Sequence, residues 1–318
     1  MTEAQSYPLQ DWLNRIRGLN QWKQGGKRAP NKPLLLLYAL GKLHNNGNSR
    51  VVFESDEVRL KQMLEDFGPP RPGGHSPEYA FSRMDRDRIW EIDTSDGASP
   101  AVDSRRALIE ANAVGRLPDN DEELLKSRPE LLYQTVQTLL RGNWPDSLHS
   151  EICERVGLDF ESVLAGDTAV VDTTADSAAS GRQAEQKRDP DFRPQVLRAY
   201  EYQCAMCGWD ARLSDSSVAL EAAHIRWKAY QGPDDPRNGV CLCVLHHRLF
   251  DRGVLGISPD LRIKVSQDFN GRGRPAQLVI ELANQELTPP QASGQRPDEQ
   301  YIHWHQTQVF KSPARVPH

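Results

Sequence analysis

Apolar residues recur at Leu9, Trp12, Leu13, Ile16 and Leu19, a three-to-four spacing that predicts an amphipathic first helix. Gly25 and Gly26 interrupt the chain before an Ala29-Pro30-Asn31-Lys32-Pro33 turn. Pro33 then suits the first residue of an apolar helix running to about His44, which Asn46-Gly47 stops. Arg50–Glu54 reads as a short strand, and Ser55, with Asp56 and Glu57 behind it, as the N-cap of the next helix. Further strands are expected at Tyr79–Met84 and Ile89–Ile92, and helices at Arg105–Ala113, Glu122–Leu140 and Ser147–Val156. From Ala165 to Gln186 the residues turn to Ala, Ser, Thr, Asp and Gly without apolar periodicity, which predicts a flexible linker. The expected organisation is α+β: a mixed α/β domain over 1–164, a linker over 165–187 and a second domain over 188–318.

The 318 residues suffice for two cores, and 38% hydrophobic with 26% charged residues is the balance of a soluble globular protein. The longest apolar run, Leu34–Leu40, is too short to span a bilayer. Met1–Gln5 has neither a basic start nor an apolar core, so no secretory signal and no membrane partner is expected, and the expected location is cytoplasmic. The net charge of −5 does not advertise a nucleic-acid partner. Locally, however, Arg15, Arg17, Lys23, Lys27, Arg28 and Lys32 follow one another with no acid between them, either as a solvated face or as a phosphate-facing patch.

Cysteine usage changes the picture. Cys153 stands alone, whereas Cys204, Cys207, Cys241 and Cys243 fall in one short region, the pattern of a metal site in a reducing compartment. Cys204-Ala-Met-Cys207 and Cys243-Val-Leu-His246 have the same two-residue gap, and two such hooks supply the four tetrahedral ligands of a structural zinc. Cys241 competes for the third place; Cys243 is preferred because its spacing to His246 mirrors the first hook. Buried free thiols are the plainer alternative.

Between the hooks lies Leu220-Glu-Ala-Ala-His224-Ile225, a polar loop with Gly232, Pro233, Asp234 and Asp235, and then Asn238-Gly239. Val240–Cys243 reads as the returning strand, and His246-His247 opens a helix that reaches Asp251. Strand, loop, strand and helix carrying His, Asn and His in that order form the HNH pattern, a ββα-metal nuclease. A neutral imidazole can deprotonate water near neutral pH, so His224 is the expected general base. His247 is expected to hold a catalytic Mg²⁺ or Mn²⁺, which would polarise the scissile phosphate. Asn238 either pins the loop and orients His224 or is a simple Asn-Gly turn residue. Ala223 occupies the place where the common HNH form has a metal-binding Asp or His. Strand alternation puts Glu221 on the same face, which makes it the substitute ligand. Asp251, one helical turn after His247, either orients it or packs the helix end.

Phe192–Tyr200, Cys204–Gly208, Glu221–Ile225, Asn238-Gly239 and Leu245–Gly253 together resemble the McrA-like, phosphorothioated-DNA-binding HNH restriction endonucleases. His303–Arg315 is similar to their closing segment, and Arg28-Ala-Pro-Asn-Lys-Pro-Leu-Leu-Leu36 to the start of their sulfur-binding domain. The resemblance implies a type IV-like enzyme that senses sulfur in place of a non-bridging phosphate oxygen in double-stranded DNA. Sulfur is larger, softer and a weaker acceptor than oxygen, so the expected pocket is apolar, with cations at its lip. The resemblance points to Arg28, Asn31, Lys32, Pro33, Tyr79 and Ala80 for that pocket. Ala80 stands where the family usually has proline and Asn31 where it often has histidine, which predicts a shifted base preference around the modification. The alternatives are an HNH enzyme reading methylated or unmodified DNA, with Trp22, Trp90 and Tyr79 available for an aromatic cage, and a zinc-stabilised DNA-binding protein without catalysis. One HNH site cuts one strand, so a double-strand break implies a homodimer or two separate engagements.

Overall fold

The computed structural model describes residues 3–21, 26–97, 104–168 and 189–316. Trp22, Lys23, Gly25 and residues 169–187 of the expected linker lie outside the described residues. The chain divides into two compact units, Met1–Gln24 with Arg28–Ala178, and Gly25–Lys27 with Ala179–His318.

The first unit is mainly helical: α1 (Glu3–Arg17), α2 (Asn31–Asn46), β1 (Val51–Val52), α3 (Phe53–Phe67), α4 (Pro77–Arg83), β2 (Glu91–Asp93), α5 (Arg105–Glu110), β3 (Val114–Arg116), α6 (Asp119–Ser127), α7 (Pro129–Arg141), α8 (His149–Val156) and α9 (Phe160–Thr168). The three strands form a small antiparallel sheet in the order β1-β3-β2, with Gly115 opposite both Val51 and Ile92. Helix α2 is buried nearly all round from Pro33 to Leu43, as its unbroken apolar run requires of a central helix. Gly41 allows this packing, because a Cβ there would lie 2.0 Å from the Val156 carbonyl oxygen of α8. Trp12 of α1 donates its indole N–H to Thr135 Oγ1 of α7 at 2.8 Å, which satisfies a polar group within a buried contact.

Several sequence expectations need correction here. Tyr79–Met84 is not a strand but α4 running into a 3₁₀ turn. Pro77 opens the helix, and its buried apolar residues Pro77, Ala80 and Phe81 follow the helical period, which Met84 continues in the 3₁₀ turn. The following strand is confined to Glu91–Asp93. Helix α3 starts at Phe53, before Ser55, because Asp56 Oδ2 accepts the Val52 amide at 2.9 Å while Oδ1 accepts Tyr38 Oη at 2.8 Å. The expected helix Glu122–Leu140 is two helices, broken at Arg128 ahead of Pro129. Helix α9 runs through Thr168, so the expected linker 165–187 would begin inside a helix.

The second unit contains α10 (Phe192–Ala199), β4 (Arg212–Leu213), β5 (Ser216–Ser217), β6 (Leu220–His224), β7 (Gly239–Cys243), α11 (Val244–Asp251), β8 (Leu255–Ile257), β9 (Ile263–Val265), α12 (Arg274–Ile280) and α13 (Glu299–Gln308). Strands β6 and β7 pair antiparallel from Leu220↔Cys243 to His224↔Gly239, and β7 leads directly into α11. Phe192, Val196, Ala223, Ile225, Val240, Leu242 and Phe250 lie in its core, so the strand pair is held from behind by α10 and α11. No described helix is long and apolar enough to cross a membrane.

Candidate active site

At one end of the β6–β7 pair, the side chains of Cys204, Cys207, Cys243 and His246 bring their ligand atoms within 4.8 Å of one another. His246 Nδ1 lies 3.4 Å from both Cys204 Sγ and Cys243 Sγ. The first hook is a tight turn closed by Gly208 N donating to the Cys204 carbonyl, and Ala205 N donates to the Cys241 carbonyl, which seats it on β7. Cys241 is buried opposite Ala222 and takes no part in the cluster; its thiol is pushed up to about 12, chiefly by burial. Three sulfurs and one imidazole nitrogen gathered this closely fit a tetrahedral thiolate-binding ion.

Along the same framework, Glu221 of β6 and His247 of α11 meet, with Oε2 2.6 Å from Nδ1. The other ring nitrogen, Nε2, lies 3.1 Å from Asp251 Oδ2, one turn along the helix. Asp251 is buried and also accepts the Trp227 indole N–H at 3.0 Å. Burial alone would lower the His247 pKa, but Asp251 and Glu221 outweigh it and hold the imidazole up at about 10. The Glu221 carboxylate and His247 Nδ1 converge on a single proton position. A divalent cation could replace that proton while Nε2–H remains anchored to Asp251, the usual support for a metal-binding histidine. The donor set therefore fits a hard divalent ion, and Asp251 orients His247 besides packing the helix end.

His224, at the end of β6, lies flat on Phe192 with ring centroids 4.1 Å apart and planes 17° apart. Its Nε2 is 2.7 Å from Asp234 Oδ1. Burial drives the His224 pKa below its ordinary value, although Asp234 pulls the other way. The ring is therefore neutral at neutral pH, as a base must be. Asn238 is fully buried and serves the loop rather than the ring directly. Its Oδ1 accepts Arg226 N at 2.8 Å, while its Nδ2 donates to the Arg226 and Pro233 carbonyls at 3.0 and 2.9 Å. Gly232 is required beneath this clasp, since a Cβ there would meet the Arg226 carbonyl oxygen at 1.7 Å. No direct hydrogen bond joins His224 to Glu221 or His247 among the described residues; the field of Asp251 reaches both His224 and His247.

The sequence reading did not assign roles to Asp234, Lys228, Phe192 or Trp227. Asp234 was visible only as one of two adjacent acids in a polar loop, and Phe192 only as a residue of the family-like segment.

In the first unit, the expected sulfur-pocket residues divide into two groups. Arg28 is only 4% exposed and donates from Nη2 to the Phe67 carbonyl at the end of α3. Lys32 forms an ion pair with Asp87. Pro33 is buried in α2. Asn31 and Ala80, in contrast, border a small pocket with Leu34, Leu35, Leu60, Leu64 and Pro77. Tyr79 is 42% exposed, with the Arg83 guanidinium 5.6 Å from its ring centre. Trp90 is buried edge-on to Phe81, which removes it from any aromatic cage.

An antiparallel strand pair entering a helix, with histidine on the first strand, a buried asparagine clasping the intervening loop, a carboxylate–histidine pair and a Cys₃His cluster, is the framework of a ββα-metal nuclease. Comparison with known families agrees: residues 204–258 match the HNH endonuclease family, and residues 9–161 match the ScoMcrA-like DNA sulfur-binding domain family. The chain thus joins a DNA sulfur-binding domain of the ScoMcrA-like family to an HNH endonuclease domain, and it is a DNA endonuclease. No curated protein matches it. Among solved structures, it is similar to the sulfur-binding domain of SprMcrA complexed with phosphorothioated DNA, at 22% identity over 48% of this chain and 96% of that one, with a TM-score of 0.40. It is also similar to the type IV phosphorothioation-dependent restriction endonuclease ScoMcrA, at 14% identity over 85% of this chain and 86% of that one, with a TM-score of 0.35. A third likeness, to the modification-dependent TagI restriction endonuclease, has 23% identity over 38% of each chain and a TM-score of 0.29.

Proposed function

We propose that this chain is a modification-dependent restriction endonuclease of the type IV kind, which recognises phosphorothioate-modified DNA through its first unit and hydrolyses phosphodiester bonds through its second. The observation that carries the reading is the presence of both family matches on one chain, residues 9–161 and 204–258. The apolar pocket bordered by Asn31, Pro77 and Ala80, close in sequence to exposed Tyr79, supports a sulfur reader of softer surroundings than an ordinary phosphate site. Arg28 contributes to that domain by closing the end of α3.

In the second unit, zinc would be held by Cys204, Cys207, Cys243 and His246 and would tie the first hook to the end of β7. Mg²⁺ or Mn²⁺ would be held by Glu221 and His247, where it supplies charge stabilisation to the scissile phosphate and leaving oxygen. His224 removes a proton from the attacking water. Phe192 fixes the plane of its ring, and Asn238 fixes the loop that follows it. A cytoplasmic location suits both the thiolate-rich cluster and an enzyme that meets incoming DNA.

The test uses one plasmid prepared with and without phosphorothioate links, incubated with Mg²⁺ or Mn²⁺ and with the wild-type or His224→Ala protein. Cutting confined to the sulfur-bearing plasmid and lost in the variant is expected. Equal cutting of both plasmids would remove the sulfur-reading half.

A further inference from the structure

The loop between β6 and β7 carries a charged relay that no sequence motif assigns. Asp234 uses its two oxygens differently. Oδ2 accepts from Lys228 Nζ at 2.7 Å and from the Asp189 amide at 2.8 Å. Oδ1 faces His224 Nε2 at 2.7 Å. Its side chain is only 9% exposed, so these bonds form largely out of water, where charge-assisted pairs are strongest. On the far side of the ring, His224 Nδ1 takes no hydrogen bond from any described residue, and the stack on Phe192 fixes the ring plane.

We propose that Asp234 is a positioning residue for His224: its carboxylate, anchored by Lys228 and the Asp189 amide, holds the imidazole as the Nε2–H tautomer and leaves Nδ1 as the basic nitrogen. The inference rests on His224 being the general base, as argued above. A carboxylate can only accept, so Nε2 must donate to Oδ1 and the ring's lone pair is confined to Nδ1. During cleavage Nδ1 takes a proton from the attacking water. The water oxygen bonds to phosphorus, and the bond from phosphorus to the leaving sugar oxygen breaks with its electron pair, which solvent protonates. Asp234 then faces an imidazolium, whose new charge it stabilises without accepting a proton itself.

The unequal use of the two oxygens makes the Asp234→Asn variant informative. The Oδ2 position receives two donors, so the amide oxygen of asparagine must occupy it. The NH₂ group is then turned towards His224 Nε2, which must become an acceptor, and the ring proton moves to Nδ1. The expected result is tautomer inversion without loss of the fold. Inversion of a catalytic histidine by this kind of substitution costs about 10⁴-fold in serine proteases, and removal of a general base costs about 10²–10⁴-fold.

The experiment reads the His224 ring nitrogens by NMR in uniformly ¹⁵N-labelled wild-type and Asp234→Asn full-length protein, alongside single-turnover cleavage and DNA binding. Expected are Nε2–H in the wild type, Nδ1–H in the variant, a drop of about 10²–10⁴-fold in the cleavage rate and unchanged DNA affinity. A wild-type ring protonated on Nδ1 would overturn the assignment, and this needs no variant to fold. A variant that keeps the wild-type tautomer and rate would overturn it as well. Wild-type protein that cuts neither plasmid would instead sink the nuclease reading, while the two spectra would still decide the role of Asp234.

Discussion

Single side chains decide which of two similar residues does the chemistry. Cys241 and Cys243 both lie on β7, yet only Cys243 reaches the cluster, because Cys241 sits two residues, about 6.6 Å, back along the same face of the strand, paired with Ala222. Cys243→Ala should therefore purify without its zinc, and Cys241→Ala should retain one ion per chain, as elemental analysis of the two proteins would measure. Asp251 invites a second test. It anchors His247 Nε2, so Asp251→Asn should weaken Mg²⁺ or Mn²⁺ binding by about 10–100-fold, read by titration calorimetry. An unchanged affinity would return Asp251 to a packing role. The pH dependence follows from His224. The base works only when neutral, and burial lowers its pKa, so activity should persist as pH falls past the ordinary histidine value of about 6.5. The acidic limb of single-turnover cleavage against pH should accordingly lie below that value, and a limb above it would contradict the burial argument.

Elements form where local pattern and tertiary neighbours agree, and the sequence was legible to that extent. The α2 run, the β6–β7 pair, the two hooks and α11, which begins at Val244 rather than at the expected His246, all carry local signals: an apolar period, Asn-Gly, and paired two-residue gaps. Helix α4 was misread because its tyrosine and phenylalanine suggest a strand, whereas Pro77 and the spacing of its buried residues set a helix. Asp56 moved the start of α3 through long-range bonds with Tyr38 and Lys42, which no local rule contains. Asp234 was hidden for the same reason, since its partner is ten residues away across a loop. Arg28, expected beside the sulfur pocket, donates to the Phe67 carbonyl at the end of α3, a long-range bond that no local pattern announces. The contact between α2 and α8 also yields a test. Gly41→Ala forces a methyl group against the Val156 carbonyl and should destabilise the first unit by about 1–3 kcal/mol, visible as a lower melting temperature of that unit. A melting temperature equal to the wild type's would show that α8 can move aside.

At the scale of the whole molecule, the two compact units rely on different sources of stability. The first is built around a fully apolar helix, whereas the second gathers its hooks around a thiolate cluster. Stripping the protein with a strong chelator should therefore abolish the melting transition of the second unit and leave that of the first. A single transition shifted as a whole would instead make the units thermally inseparable. The short strand β7 sets a limit on how the nuclease half can vary in length. It has five residues, with Asn238 immediately before it and the zinc ligand Cys243 as its last residue. One inserted residue would exchange the two faces of the strand. Two would restore the faces but carry Cys243 about 6.6 Å along the strand, beyond the 4.8 Å within which the ligand atoms lie. Changes of length in this half should therefore accumulate elsewhere, for example at the exposed turn between β4 and β5, where a peptide tag or a fluorescent label could be inserted with the catalytic framework left intact.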